Sequence, residues 1–125
     1  MRAFACFSAI SLALLGCAPP PSAPPAGGAA PRRVVSLNLC TDELLLLLAE
    51  PAQIASLTHL AGREEEFVLW REARAFPAND GTLAAAAALD PDLVLTMGGG
   101  GDRLRIAERL GVPAIDLPFP RTLDE

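Results

Sequence analysis

The chain of 125 residues contains no lysine and no tyrosine, one histidine, one tryptophan and three cysteines. No apolar run in it reaches the ~20 residues that a bilayer-spanning helix needs. The longest, residues 3–15, is uncharged and directly follows Arg2. A short apolar run behind one positive charge is the pattern of a secretory signal peptide, to be set aside before any fold is argued. With lysine absent the cations are arginines alone, and from Cys17 onward nine of them stand against fifteen acids, a net charge of −6. That balance argues against a nucleic-acid partner, which requires a basic face.

The junction "LLGC", ending at Cys17, resembles the lipobox of bacterial lipoproteins, in which the peptide is cut before a cysteine that is then lipidated. Residues 1–16 are therefore read as the signal peptide, and residues 17–32 as a lipidated Cys17 followed by a tether. "APPPSAPPAGGAAP" is proline, glycine and alanine with almost no large side chain, so it cannot build a core and forms a semi-extended spacer. Each buried acyl methylene contributes ~0.8 kcal/mol, and stable anchoring takes more than one chain. Cys6 leaves with the signal and Cys17 is capped, which leaves Cys40 alone. No disulfide can form in the mature chain, and the fold must rest on its core.

The folded part opens with Val34, Val35 and Leu37, a short apolar run suited to a buried strand. Thr41 is placed to cap a following helix, with Asp42 and Glu43 in its first turn and Pro51 ending it. Its five leucines, residues 44–48, are apolar on every side and predict a helix buried between layers. A second strand is expected over residues 54–58, and a helix over "REEEFVLWREARAF", with acids leading and arginines trailing. Trp70 in it is read as packing against Phe67 and Arg74. Thr82 caps a small alanine helix that stops at Asp90 and Pro91, before a third strand at residues 93–95. A helix capped by Asp102 follows, with an apolar face of Leu104, Ile106, Ala107 and Leu110 and a terminating Gly111. "VPAIDL" is the fourth strand. Alternating strands and helices with short links imply right-handed crossovers and a parallel α/β sheet.

In such a sheet, ligands bind beyond the carboxyl ends of the strands. Those ends gather Asn38, Cys40 and Thr41, then Thr58 and His59, then residues 97–102, then residues 118–121. Helix N-termini near Thr41 and Asp102 would turn N–H groups toward an anionic part of a ligand. The glycines from Gly98 to Gly101 do not complete a dinucleotide fingerprint, because Arg103 or Leu104 stands where the third glycine belongs. A P-loop would need lysine after the last glycine, where Asp102 and Arg103 stand. Asp116 does lie where a ribose-binding acid could sit, but an exported protein meets little nucleotide cofactor. No cofactor is expected. A rival reading makes Cys40 the nucleophile of an exported thiol hydrolase, its thiol beside a helix N-terminus and His59 on the adjacent strand end. A Cys40/His59 metal or haem-iron pair would leave the site short of ligands.

"RVVSLNLCTDELLLLLAEPAQIASLTHL", "GTLAAAAALDPDLVLTMGG" and "RLGVPAIDLPFPRTLDE" resemble the N-terminal lobe of the substrate-binding proteins of ABC importers for cobalamin, ferric siderophores and haem. The resemblance implies the helical-backbone class of periplasmic binding protein: two three-layer α/β lobes joined by a long helix, with ligand between them and no catalysis. It implies periplasmic location, a permease partner and the membrane through the anchor. Residues 33–121 become the ligand-binding lobe, and residues 122–125, which carry the Thr-x-x-Glu form of a capping box, become the start of the interlobe helix of a truncated chain. Carried over residue by residue, it places Asn38, Cys40 and Thr41 on the cleft-facing first loop, His59 at a ligand contact, and Gly98, Gly99 and Gly100 at the rim. Two departures stand out. Ala84 occupies the position where relatives often carry a permease-docking glutamate, with Asp80 the nearest substitute. Ala78 and Asn79 replace the aromatic residues that grip corrinoids, which leaves the ligand open between cobalamin and an iron chelate.

Overall fold

The computed structural model describes residues 29–120 and Thr122. The signal peptide, Cys17, most of the tether, Arg121 and residues 123–125 lie outside the described residues. Five strands form one sheet: β1 (Val34–Ser36), β2 (Ile54–Thr58), β3 (Ala78–Asn79), β4 (Leu93–Met97) and β5 (Ala114–Leu117). Every neighbouring pair is parallel, in the order β3-β2-β1-β4-β5. Helices α1 (Leu39–Leu48), α2 (Trp70–Ala73), α3 (Leu83–Ala87) and α4 (Gly100–Arg109) connect them.

Alternation along the strands feeds two cores. Val34, Ile54 and Leu57 pack with Leu45 of α1 and with Phe67 and Ala73. On the opposite face, Val35, Leu37 and Val94 pack with Leu83 and Ala86 of α3, Ala107 of α4 and Val112. Helix, sheet and helix thus make the three layers read from the sequence. The winding direction reverses between β1 and β4, so the loops leaving those two strands part and open a crevice at the carboxyl edge.

Local chemistry sets the boundaries, and several differ from expectation. Asn38, not Thr41, caps α1: its backbone is extended and its side-chain oxygen accepts the N–H of Cys40 at 2.8 Å. The leucine helix is buried on one side only, with Leu45 6% exposed but Leu47 63% and Leu48 79%. One helix cannot turn five consecutive residues toward a single sheet face. The helix expected over residues 63–76 shrinks to α2, preceded by turns. Three adjacent glutamates and an exposed Val68 give that segment no continuous apolar stripe to dock. Helix α4 starts at Gly100, so Asp102 sits inside its first turn instead of capping it, and of its expected apolar face only Ala107 is buried. β3 was absent from the sequence reading; it is two residues long, with one side chain buried. Thr82 does cap α3, its hydroxyl accepting the N–H of Ala85 at 3.1 Å, and Gly111 takes φ 69° where α4 ends. No described helix is long and apolar enough to cross a membrane.

Candidate functional site

Beneath the carboxyl edge lies a layer of buried polar side chains. Ser36 and Thr41 share a hydroxyl hydrogen bond of 2.6 Å, and the Thr41 hydroxyl donates to the Asn38 carbonyl at 2.9 Å. Asn79 on β3 donates to the Ser36 carbonyl at 2.9 Å and to the Ser56 hydroxyl at 2.7 Å, while its own oxygen accepts the N–H of Gly81. Asp42 on α1 receives the backbone N–H of Thr58 at 3.1 Å and its hydroxyl at 2.5 Å, tying the helix to the end of β2. Burial pushes the Asp42 carboxyl up from its ordinary value, against the hydrogen bonds of Thr58 and Ser36, which pull it down. No buried polar side-chain atom among the described residues is left without a partner. This layer fixes the strand ends and offers no free polar group of its own.

Above it the crevice is apolar. Cys40, exposed, lines a groove of about 290 Å³ with Glu43, Leu44 and Leu47 of α1, Met97 at the end of β4, and Phe119 and Pro120 beyond β5, Glu43 being its one charged residue. An adjoining open hollow of about 910 Å³ is lined by Gly98, Gly100, Asp116 and Pro118, and shares Met97, Phe119 and Pro120 with the groove. Gly98 adopts φ 70°, and a Cβ there would stand 3.5 Å from the Phe119 ring, so the loop after β4 and the Phe119 turn lie against each other.

The structure therefore draws Cys40, Gly98 and Gly100 together around Met97 and Phe119. Thr41 lies underneath, fully buried, and the Asn38 oxygen is committed to its cap. Gly99 turns to the other side of the loop, toward a groove between α3 and α4. His59 is exposed at the end of β2 and lines none of these hollows; its Nδ1 lies 3.3 Å from the Asn79 carbonyl. No Cys40–His59 hydrogen bond occurs, and no group of three or more histidine, cysteine or acidic residues is placed to hold a metal, among the described residues. Met97 and Phe119 fall within the strand ends expected at the site, residues 97–102 and 118–121, but neither was singled out as a ligand contact, although the apolar strand end "LTM" and the turn "PFP" carried the signal.

Asp116 answers the glycine question. Its two carboxylate oxygens accept the N–H groups of Gly99 at 3.1 Å and Gly100 at 2.7 Å. Those are the donors that a phosphate-binding loop would offer, and an internal anion already holds them. The N–H groups of Gly99 and Gly100 are therefore not free for a ligand, and Asp116 is committed to them and not to a ribose. Asp80, near Ala84 at the start of α3, accepts the Thr82 hydroxyl at 2.7 Å and N–H at 2.9 Å; the two bonds hold its carboxyl below its ordinary value.

No family model matches the chain, and no curated protein matches it. Solved structures do. A periplasmic heme-binding protein from Pseudomonas aeruginosa is 18% identical, with 75% of this chain and 34% of that one covered and a TM-score of 0.56. The periplasmic heme-binding protein RhuT from Roseiflexus sp. RS-1, in apo form, is 22% identical over 74% and 36%, with a TM-score of 0.55. The siderophore-binding protein BauB, bound to a complex between two molecules of acinetobactin and ferric iron, is 18% identical over 72% and 32%, with a TM-score of 0.53. At these identities the likeness is one of fold: the α/β lobe folds as part of a periplasmic binding protein does. The chain spans about a third of the length of these proteins.

Proposed function

We propose that this lobe is half of the ligand clamp of an exported solute-binding protein that captures an iron chelate, haem or a ferric siderophore, without catalysing a reaction. The observation that carries the reading is the apolar crevice at the point where strand winding reverses, walled by Leu44, Leu47, Met97, Phe119 and Pro120. An apolar wall with a soft thiol at its edge suits the flat face of a large chelate better than a small polar metabolite. The binding-protein fold supports it. Cys40, Gly98 and Gly100 touch the ligand in this reading; Asn38 and Thr41 hold the first loop in place, and His59 and Gly99 flank the crevice.

A two-sided pocket buries ~70–90% of a drug-sized ligand, and one wall covers less. A second lobe, joined through a helix that opens at residues 122–125, would complete the clamp. Lipidation of Cys17 would hold the protein at the membrane beside an ABC permease that accepts the cargo. Cobalamin stays in the test as the alternative cargo.

The purified protein is titrated with haemin, ferric siderophores and cobalamin, following both ligand absorption and Trp70 fluorescence. Saturable binding of haemin or a ferric siderophore is expected, weakened when N-ethylmaleimide adds bulk to Cys40 inside the groove. Saturation by cobalamin alone would replace the cargo. Silence toward all three, joined to ester turnover that the same reagent abolishes, would convert the lobe into the thiol hydrolase.

A further inference from the structure

The crevice has acids on its walls and no base. Glu43, exposed on α1, lines the apolar groove with Cys40 and Leu47, and Asp116 lines the hollow beside it. Among the described residues neither hollow is lined by an arginine or by His59. Arg103, on the helix that follows the glycine loop, belongs to the opposite face of the sheet: it donates to the buried Thr96 hydroxyl at 2.6 Å and lines the groove between α3 and α4. The two acids are not equivalent. Both oxygens of Asp116 are held by the N–H groups of Gly99 and Gly100, where the dipole of α4 offsets their charge. Glu43 has no such partner. No side-chain hydrogen bond or ion pair engages it among the described residues, the one ion pair there being that of Arg105 with Asp102. Asp42, the next acid along α1, is buried and turned to Thr58.

In the empty groove water solvates the Glu43 carboxylate. An apolar body laid against Leu44, Leu47, Met97 and Phe119 displaces part of that water and lowers the dielectric around the charge. A carboxylate left half-desolvated without a partner costs free energy, and one that meets a cation recovers it through a charge-assisted contact. A ligand carboxylate placed there would instead meet a like charge, which disfavours the wrong partner more strongly than it would in open water. The net negative charge of the chain acts in the same sense at longer range, drawing cations toward the surface and repelling anions.

We infer that Glu43 selects a ligand with a positively charged nitrogen at its edge, so that the cargo is a chelate with an apolar body and an ammonium or guanidinium group, not one with free carboxylates. Of the cargoes named above, a ferric siderophore with a free amine fits, and haem, with two carboxylates, does not. The chelate rests on the function proposed above; the preference for a cation rests on Glu43, its apolar groove and the described walls that hold no base.

Two measurements on the full chain separate these layers. In the first, 1-naphthylmethylammonium, 1-naphthylmethanol and 1-naphthoate, which share an apolar body and differ in charge, are titrated while the backbone 15N–1H resonances of Cys40, Leu44 and Leu47 are followed. The cation should bind more tightly than the alcohol by about three-fold and the anion most weakly, and Glu43→Gln should bring the three together. Equal affinities for cation and anion, no shift with any of the three, or an order that survives in Glu43→Gln overturns the inference. So does an order that emerges only in Arg121→Gln, since Arg121, which follows Pro120 and lies outside the described residues, would then already answer Glu43. In the second, ferrioxamine B, which carries one ammonium group, is compared with its N-acetyl derivative, which carries none. Ferrioxamine B should bind about three-fold more tightly, with the difference lost in Glu43→Gln. Equal binding of the two, or saturation by haemin beside indifference to both, overturns the cationic cargo. A charge order in the naphthyl series beside indifference to ferrioxamine B, its derivative, haemin and cobalamin sustains the cation preference and overturns the transport reading from which the chelate was drawn.

Discussion

The carboxylate of Asp116 accepts the backbone N–H of Gly100 at 2.7 Å, so that a residue of β5 caps a helix begun sixteen positions earlier. Its second oxygen takes the N–H of Gly99. A negative charge is favourable at a helix N-terminus, and here it comes from the neighbouring strand because the local sequence, all glycine, supplies no capping side chain. Asp116→Ala should lower stability by about 1–2 kcal/mol, the usual loss when a cap is removed, and Asp116→Asn by less, since one acceptor oxygen remains. Urea titration followed by circular dichroism gives both values. With the N–H groups of Gly99 and Gly100 held by an internal carboxylate, the wild-type loop should take up no ATP; saturable ATP binding would contradict the role given to Asp116.

The layers and the crossing pattern were legible because they depend on short, strong periodicities. "RRVVSL" places Val34 and Val35 on opposite faces whatever surrounds them, and the Asp90-Pro91 stop before Leu93 needs only local chemistry. What escaped was decided by tertiary partners. β3 exists because Leu57 and Thr58 pair with Ala78 and Asn79, not because "AN" has any strand propensity. Asn38 caps in place of Thr41 because the Thr41 hydroxyl is engaged by Ser36 and by the Asn38 carbonyl, contacts that form only once the end of β1 and the start of α1 are packed together. The same holds for the site: its strand-end loops could be read off, whereas the apolar wall of Met97 and Phe119 emerges only when β4 and β5 are assembled.

The leucine run makes a sharp contrast between neighbours. Leu45 is 6% exposed and packs in the core with Val34 and Leu57; Leu48, three residues on, is 79% exposed. Leu45→Ala should cost about 2–4 kcal/mol, combining lost transfer energy with the cavity left behind. Leu48→Ala should change stability by no more than about 0.5 kcal/mol, as surface substitutions do. Equal losses for the two in denaturant unfolding would mean that α1 is covered on both sides, as the sequence suggested. Leu47→Ala belongs to a third category: neutral in unfolding, it should weaken ligand binding, because this side chain lines the groove beside Cys40.

Asp42 couples the fold to pH through its burial. In the folded chain its carboxyl is raised from the ordinary 3.8, burial outweighing the hydrogen bonds from Thr58 and Ser36. An acid raised on folding binds its proton more tightly in the native state. The native chain therefore holds more protons than the unfolded one between 3.8 and the folded value, and stability falls as pH rises through that window. Asp80 and Asp92 act in the opposite sense. Their carboxyls are lowered, Asp80 by the Thr82 hydroxyl and N–H and Asp92 by the N–H groups of Arg32 and Arg33, so their contribution is present above 3.8 and is lost as the solution is acidified. The two slopes lie on opposite sides of one pH and can be separated. Asp42→Asn keeps an oxygen for the buried Thr58 N–H but has no proton to exchange. Its urea midpoint, measured from about pH 3 to 7, should lose the decline above the ordinary carboxylate value while retaining the acid-side loss that Asp80 and Asp92 impose. A variant whose profile parallels the wild type at every pH would show that Asp42 titrates alike in folded and unfolded chains, and that its tie to Thr58 compensates its burial in full.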